Sequence, residues 1–380
     1  MNLPRLLLTT FESVPGPSEA SRRALAWLAA AEGRFETVVL SLKTPERSHV
    51  ERLHGARVLR VPVGSGDLAS RHEAFERAVR RQVASDGFEL AHFMDPFSGR
   101  ALCDTRAAHG AALLYDPASL PSRELAVADP AWAANRRGRL RIRRWEIACA
   151  VRADAVAAAT TSLADHVLSL GVDPDRVHLV PQPATPLPEA AAADGGHVRL
   201  LFPGTLLPHD GLDTALSALG LLGPGAEVSV CVCAPTPAPE PALRARAQAL
   251  GAPDRVTASA GFPSPAPGTV DVAVFPLAPA EHNLGAGGLV PSLADALARG
   301  LPVLAADLPL LRGMLPESAA LFHRPGDARA LAGHVTRILR EPALRARLAR
   351  GARAVAAAQH APQVASQRLL ALYARLLSRT

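Results

Sequence analysis

The chain has 380 residues, 48% of them hydrophobic, and a formal charge of +6. That length supports two domains of ordinary size, each with its own core, and that composition excludes global disorder. No apolar run reaches the roughly 18–20 residues that crossing a bilayer needs. The apolar start, Met1 to Thr10, is too short and wrongly flanked for a signal peptide, so a cytoplasmic protein is expected.

Lys43 is the sole lysine, and the rest of the basic charge is arginine. With abundant Ala and Pro, this reads as the codon bias of a GC-rich bacterial genome. No zinc-finger, RNP-like or helix-turn-helix signature accompanies it, so nucleic acid is not an expected partner. Cys103, Cys149, Cys231 and Cys233 show neither a C-x-x-C pair nor metal spacing, and read as core thiols.

In chain order, Arg5–Thr9 reads as a strand and Ser18–Ala31 as a helix. Thr37–Leu42 and Val58–Val63 read as strands, Arg71–Ser85 as a helix. Leu90–Phe93, Ala112–Tyr115 and Ala155–Ala158 are strand-like, and Leu163–Leu170 is helical. Pro181 to Gly196 then loses any strand period among prolines, alanines and Gly195-Gly196. The βα rhythm restarts with strand Val198–Phe202, a helix from Asp213, strand Glu227–Val232 and helix Pro241–Leu250. Strand Val270–Phe275, helix Leu293–Arg299, strand Pro302–Ala305, helix Ala328–Arg340 and an amphipathic helix at Ala361–Leu377 complete it. Repeated βα units imply mainly parallel sheets covered on both faces.

The expected division is an N-terminal Rossmann-like domain at 1–185, a Pro/Ala-rich linker at 186–196, and a second Rossmann-like domain at 197–358. A C-terminal amphipathic helix at 359–380 would pack back on the first domain. No G-x-G-x-x-G follows the first strand, which weighs against a dinucleotide-dependent dehydrogenase.

The segment Phe275–Asp307, FPLAPAEHNLGAGGLVPSLADALARGLPVLAAD, resembles the retaining group 1 (family four) glycosyltransferases. Pro276, Glu281, Gly287-Gly288, Asp295, Gly300, Pro302, Val303, Ala305 and Asp307 stand in that family's order. PGTLLPHDGLDTALSAL from Pro203, GVDPDRVHLVPQ from Gly171 and RPGDARALAGHV from Arg324 are further matches. Pro15-Gly16-Pro17-Ser18 and AHFMDPFSG from Ala91 match more weakly. The resemblance implies a GT-B fold: two Rossmann-like α/β domains, with mainly parallel sheets, facing each other across a cleft.

It also implies the chemistry. The loop Gly285-Ala286-Gly287-Gly288, leading into a helix at about Ser292, would let a pyrophosphate approach backbone N–H groups. Asp295 would accept from the ribose hydroxyls. Alternatively, Ser292 and Asp295, three apart at a helix start, form a capping-box-like pair. Glu281 follows a strand's carboxyl end, where open α/β sheets bind ligands, and would lie against the donor sugar as a catalytic residue. His282 and Asn283 beside it resemble an E-R-N variant. Glu281 and Asp295 are fourteen apart instead of the family's eight, and the second acid is Asp instead of Glu.

Other departures concern charge. The family places Arg after the glycine of the first C-domain loop and Lys before the next glycine, where they neutralise the departing diphosphate. Here Gly204 is followed by Thr205, and Asp210 holds the second place. His209 is either a substitute cation when protonated or an ordinary surface histidine. A third basic position is Ser292.

In the first domain, Tyr115-Asp116 is followed by Pro117 and Ala118, where relatives carry a sugar-facing His. Asp116 and His92 are the remaining polar candidates, with a buried structural role the alternative for His92. Gly16 and Ser18 mark a reduced acceptor loop. Arg136, Arg137, Arg139, Arg141, Arg143 and Arg144 form a basic stretch that is either a solvated helix face or a contact for anionic lipid at the inner membrane surface.

Two functions follow. One is transfer of a sugar from a nucleotide-diphospho-sugar, the co-substrate, to a cell-surface glycan or lipid-linked acceptor, with no metal or other cofactor expected. The other is a catalytically silent GT-B domain that binds or scaffolds.

Overall fold

A computed structural model describes residues 3–185, 197–204, 206–223, 225–234, 240–260, 270–279 and 290–378. The expected linker at 186–196 lies outside the described residues. The chain divides into two units. One is Met1–Pro181 with Leu284–Gly287 and Ala365–Thr380; the other is Gln182–Asn283 with Gly288–Val364.

The first unit begins with β1 (Arg5–Thr9), α1 (Glu19–Ala31), β2 (Glu36–Leu42), β3 (Val50–Leu53), β4 (Ala56–Val61), α2 (Leu68–Ser85) and β5 (Leu90–Phe93). It continues with α3 (Pro96–Asp104), α4 (Arg106–His109), β6 (Ala112–Tyr115), α5 (Pro121–Ala128) and α6 (Pro130–Ala134). Then come α7 (Arg136–Arg152), β7 (Ala155–Ala158), α8 (Thr161–Ser169) and β8 (Val177–Leu179).

Its eight-stranded sheet has the order β3-β4-β2-β1-β5-β6-β7-β8. Every pairing is parallel except β3 with β4. Central strands such as β5, β6 and β7 are buried throughout, which explains their unbroken apolar runs. Strand β4, nearer an edge, alternates and so also reads clearly. Local signals start the helices: Ser18 caps α1, Asp67 caps α2, and Asp95 caps α3 with Pro96 in its first turn.

The basic stretch forms the start of α7. Its Ile142, Glu146, Cys149 and Ala150 are buried, a helical stripe that the arginine density conceals in the sequence.

The second unit contains β9 (Val198–Pro203), α9 (Leu212–Leu221), β10 (Val228–Ala234), α10 (Glu240–Ala249), β11 (Val256–Ala260), β12 (Val272–Phe275) and α11 (Val290–Ala298). It goes on with β13 (Val303–Ala306), α12 (Pro309–Met314), β14 (Ala320–His323), α13 (Ala328–Arg340) and α14 (Pro342–Val355). The sheet order is β11-β10-β9-β12-β13-β14, all parallel. Strands β11 and β14 and helices α12 and α14 carry weak sequence signals, being short, peripheral or rich in Ala and Arg.

The last helix, α15 (Pro362–Leu377), packs Leu369, Leu372, Tyr373 and Leu376 into the core around Leu6, Leu8 and Trp27 of the first unit. Among the described residues, no helix is long and apolar enough to cross a membrane.

Candidate active site

In the first unit a cavity of about 360 Å³ opens beside the residues that follow β1 and β5. Thr10, Phe11 and Glu12 come from the first loop, Met94 and Asp95 from the second. Arg71 of α2 and Glu124 of α5 complete its charged lining. The carboxyl ends of parallel strands are where this architecture binds ligands, because the connecting loops diverge there.

The cavity gathers three acids, of which Asp95 is buried, Glu124 half-buried and Glu12 exposed. Asp95 accepts from Phe11 N–H at 2.6 Å and from Ser98 N–H at 2.8 Å, which orders the loop against α3. Burial still raises its pKa above the ordinary value. Glu12 is raised too, by burial and then by the Asp95 charge. Glu124 accepts from Leu120 N–H at 2.9 Å, yet burial, with the charges of Glu146 and Glu12, lifts it to about 7. Arg71 stands over the Phe11 ring at 5.7 Å. Sequence reasoning missed Arg71, Asp95 and Glu124, although Asp95 lies two residues beyond a recognised strand end, a usable signal.

Asp116 is 1% exposed. Its oxygens accept from Arg23 Nε at 2.9 and 2.8 Å, and one also accepts from Trp27 Nε1 at 2.8 Å. Burial pushes its pKa up, but the Arg23 guanidinium and His92 outweigh this and hold it at about 2. His92 lies 3.4 Å from the same carboxylate through Nε2, and its Nδ1 shares a 2.6 Å hydrogen bond with the Tyr373 hydroxyl. Arg23 also donates to the Val180 carbonyl at 2.9 Å. The arrangement is a buried tie between α1, β5, β6 and α15, so Asp116 and His92 are both engaged within the protein.

Ser18 accepts from Ser21 N–H at 3.2 Å as the cap of α1. Gly16 donates to Ser21 Oγ at 2.7 Å, and a Cβ at Gly16 would lie 2.4 Å from the Ser13 carbonyl oxygen. That close approach explains the glycine between two prolines.

In the second unit, Gly204 follows β9 and donates to the Cys233 carbonyl at 3.0 Å. A Cβ there would meet Phe202 at 2.6 Å. His209 and Asp210 sit in a 3₁₀ turn, with His209 Nε2 3.3 Å from Asp210 Oδ1. Burial lowers the His209 pKa more than Asp210 raises it, so the ring is neutral at pH 7. Asp210 is buried beside it.

Ser292 lies inside α11, which already runs from Val290, so the capping-box alternative is overturned. Asp295 is buried mid-helix and accepts from Thr185 N–H at 2.7 Å, a partner 110 residues away. Thr205, Glu281, His282, Asn283, Gly287 and Gly288 lie outside the described residues.

The two mainly parallel α/β sheets match the GT-B glycosyltransferase fold. Residues 16–183 match the family model described as a glycosyl transferase 4-like domain. Among solved structures, sucrose-phosphate synthase from Thermosynechococcus elongatus superposes with a TM-score of 0.81 at 20% identity, covering 99% of this chain and 100% of that one. Anabaena HepE in complex with UDP and glucose gives 0.73 at 14% identity, covering 98% and 100%. WaaG, a glycosyltransferase involved in lipopolysaccharide biosynthesis, gives 0.68 at 16%, covering 95% and 98%. A comparison with curated proteins finds no match.

Proposed function

We propose that this protein is a retaining glycosyltransferase that moves a sugar from a nucleotide-diphospho-sugar to a hydroxyl of a cell-surface glycan or lipid-linked acceptor. The observation that carries the reading is the charged cavity at the carboxyl ends of β1 and β5, built mostly from the segment that matches the family model. It offers Glu12, Glu124 and Arg71 to an acceptor. Structural neighbours crystallised with UDP or UDP-glucose support a nucleotide-sugar donor. Asp295 would hold the ribose, giving up its contact with Thr185 N–H, with Gly204, Ser292 and the glycines at 287–288 near the diphosphate. Glu281 would face the donor sugar. Transfer would proceed on the front face without a metal, the leaving phosphate helping to deprotonate the acceptor.

Arg136, Arg137, Arg143 and Arg144 are exposed on α7, together with Leu140 at 45% and Val151 at 42%. Exposed cations flanking exposed apolar groups support peripheral contact with an anionic bilayer, each arginine adding about 1 kcal/mol near such a surface. Co-sedimentation with anionic vesicles at low salt tests this, and no binding removes it.

A second reading, a catalytically silent GT-B domain that binds or scaffolds, rests on Thr205 and Asp210 standing where the family carries Arg and Lys. A thermal-shift screen with UDP, GDP, ADP and their sugar conjugates separates the two. A nucleotide at 100 times its dissociation constant adds about 2.7 kcal/mol of stability. One nucleotide should stabilise the protein and lose its effect in Asp295→Ala. No shift at millimolar ligand, with folded protein, would favour the silent domain.

A further inference from the structure

The four cysteines meet in two pairs. The Cys103 thiol of α3 and the Cys149 thiol of α7 are hydrogen-bonded to each other, at 9% and 1% exposure, so reagents in solvent barely reach them. The second pair lies on β10, where the Cys231 and Cys233 sulfurs stand 3.6 Å apart. Side chains two apart on a strand share one face. Cys233 is fully buried in the core with Leu201, Phe275 and Leu293, whereas Cys231 is half-buried at its border.

The two thiols of this pair differ in chemistry. The Cys233 thiol donates to Cys231 and pulls it down to about 6 against the opposing effect of burial, with help from the Thr257 hydroxyl. That hydrogen bond and burial push Cys233 up, so it stays a thiol. The positive charge of Arg299, just past α11, acts on Cys233 as well. A reachable thiolate touching a protonated thiol is the arrangement that oxidation selects, because susceptibility follows thiolate character and exposure and a neighbouring thiol resolves the product.

We propose that Cys231 is a site of reversible oxidation by hydroperoxides, with Cys233 as the resolving thiol. The Cys231 thiolate attacks one oxygen of hydrogen peroxide. The O–O bond breaks, the sulfur becomes a sulfenic acid and the second oxygen leaves as hydroxide. The Cys233 sulfur then displaces the sulfenic hydroxyl, which departs with the Cys233 proton as water, and a disulfide closes. The pair gives up two electrons and the peroxide takes them.

Closure reaches the neighbouring loop. Alternate positions on a strand lie about 6.6 Å apart, near the limit of about 6.8 Å that a disulfide spans between Cα atoms, so closing the pair shortens the end of β10. The Cys233 carbonyl at that end accepts from Gly204 N–H at 3.0 Å. Oxidation therefore disturbs the Gly204 loop, which the proposed function sets near the donor diphosphate; this second step rests on that reading.

Trypsin separates the thiols. Cys231 and Cys233 share the peptide Leu200–Arg244, while Cys103 and Cys149 fall on Ala101–Arg106 and Trp145–Arg152. The whole protein is treated with hydrogen peroxide, remaining thiols are alkylated with iodoacetamide, and the peptides are analysed by mass spectrometry. Leu200–Arg244 should lose two hydrogens and escape alkylation, and dithiothreitol should restore both thiols. Cys233→Ser should stop at the sulfenic acid, trapped by dimedone, and Cys231→Ser should leave Cys233 reduced. A parent peptide Leu200–Arg244 that stays reduced, or oxidation of either other peptide first, overturns the proposal, and this readout needs no variant to fold.

The second step is read by thermal shift with whichever of UDP, GDP and ADP stabilises the reduced protein. Oxidation should weaken that nucleotide about fivefold, the worth of one hydrogen bond, and peroxide should leave its affinity for Cys231→Ser unchanged. Equal affinity in the oxidised parent overturns the link to Gly204. If no nucleotide stabilises even the reduced protein, the donor-site reading fails, and the peptide masses still decide whether Cys231 is the oxidation site.

Discussion

Replacing Asp116 with alanine should destabilise the first unit sharply. The carboxylate titrates at about 2 against an ordinary 3.8. That difference, 3.8 − 2, is about 1.8 units, or about 2.4 kcal/mol at 1.36 kcal/mol per unit. Removing it also leaves the buried Arg23 guanidinium without its carboxylate, and the loss of one partner from a buried pair costs about 3–5 kcal/mol. The upper range is the expectation, because Trp27 Nε1 loses its acceptor as well. The folded pKa is depressed, so this stabilisation is complete above pH 3.8 and fades as pH falls through about 2.

Urea titration followed by tryptophan emission reports this unit alone, since it holds every tryptophan. The gap between Asp116→Ala and the parent should be constant from pH 8 to 5 and shrink in acid. Arg23→Met with Asp116→Leu, an apolar replacement of the pair, should recover much of the loss. A loss below about 1 kcal/mol for Asp116→Ala would refute the view that the network ties α1, β5, β6 and α15 together.

Glu124→Gln should act in the opposite sense. A folded pKa of about 7 against 4.5 means that stability falls as pH rises between those values, so the glutamine variant should gain about 1–3 kcal/mol over the parent at pH 8 and nothing at pH 4. Urea midpoints at the two pH values check this; a pH-independent difference contradicts it. Gly211→Ala should unfold the second unit or lower its midpoint by several degrees in circular dichroism, because φ is +78° and a Cβ would meet the Pro276 carbonyl oxygen. Parent-like stability there would mean that the approach of that turn to β12 is wrong. Cys231 should react first with iodoacetamide at pH 7: it is half-buried, and the neighbouring Cys233 thiol, 3.6 Å away, pulls it down to about 6. Peptide mass spectrometry identifies the labelled thiol, and prior labelling of Cys103 would contradict the geometry.

The sequence alone determined the alternation of strands and helices. Buried parallel strands need unbroken apolar runs, as in Leu90–Phe93, and helices announce themselves by caps such as Ser18. Both are local signals, and the family resemblance added the GT-B fold. Short edge strands and the arginine-rich α7 were harder to read, because their burial depends on neighbours far along the chain. Tertiary structure alone decided which polar residues meet. Arg23, Trp27, His92, Asp116 and Tyr373 converge from across the sequence, as do Thr185 and Asp295. It also decided charge. His209 reads as a candidate cation until burial lowers its pKa, and Glu124 reads as an ordinary acid until the cavity raises it. Desolvation and pairing are set by the three-dimensional surroundings of a group, and the spacing of residues does not encode them.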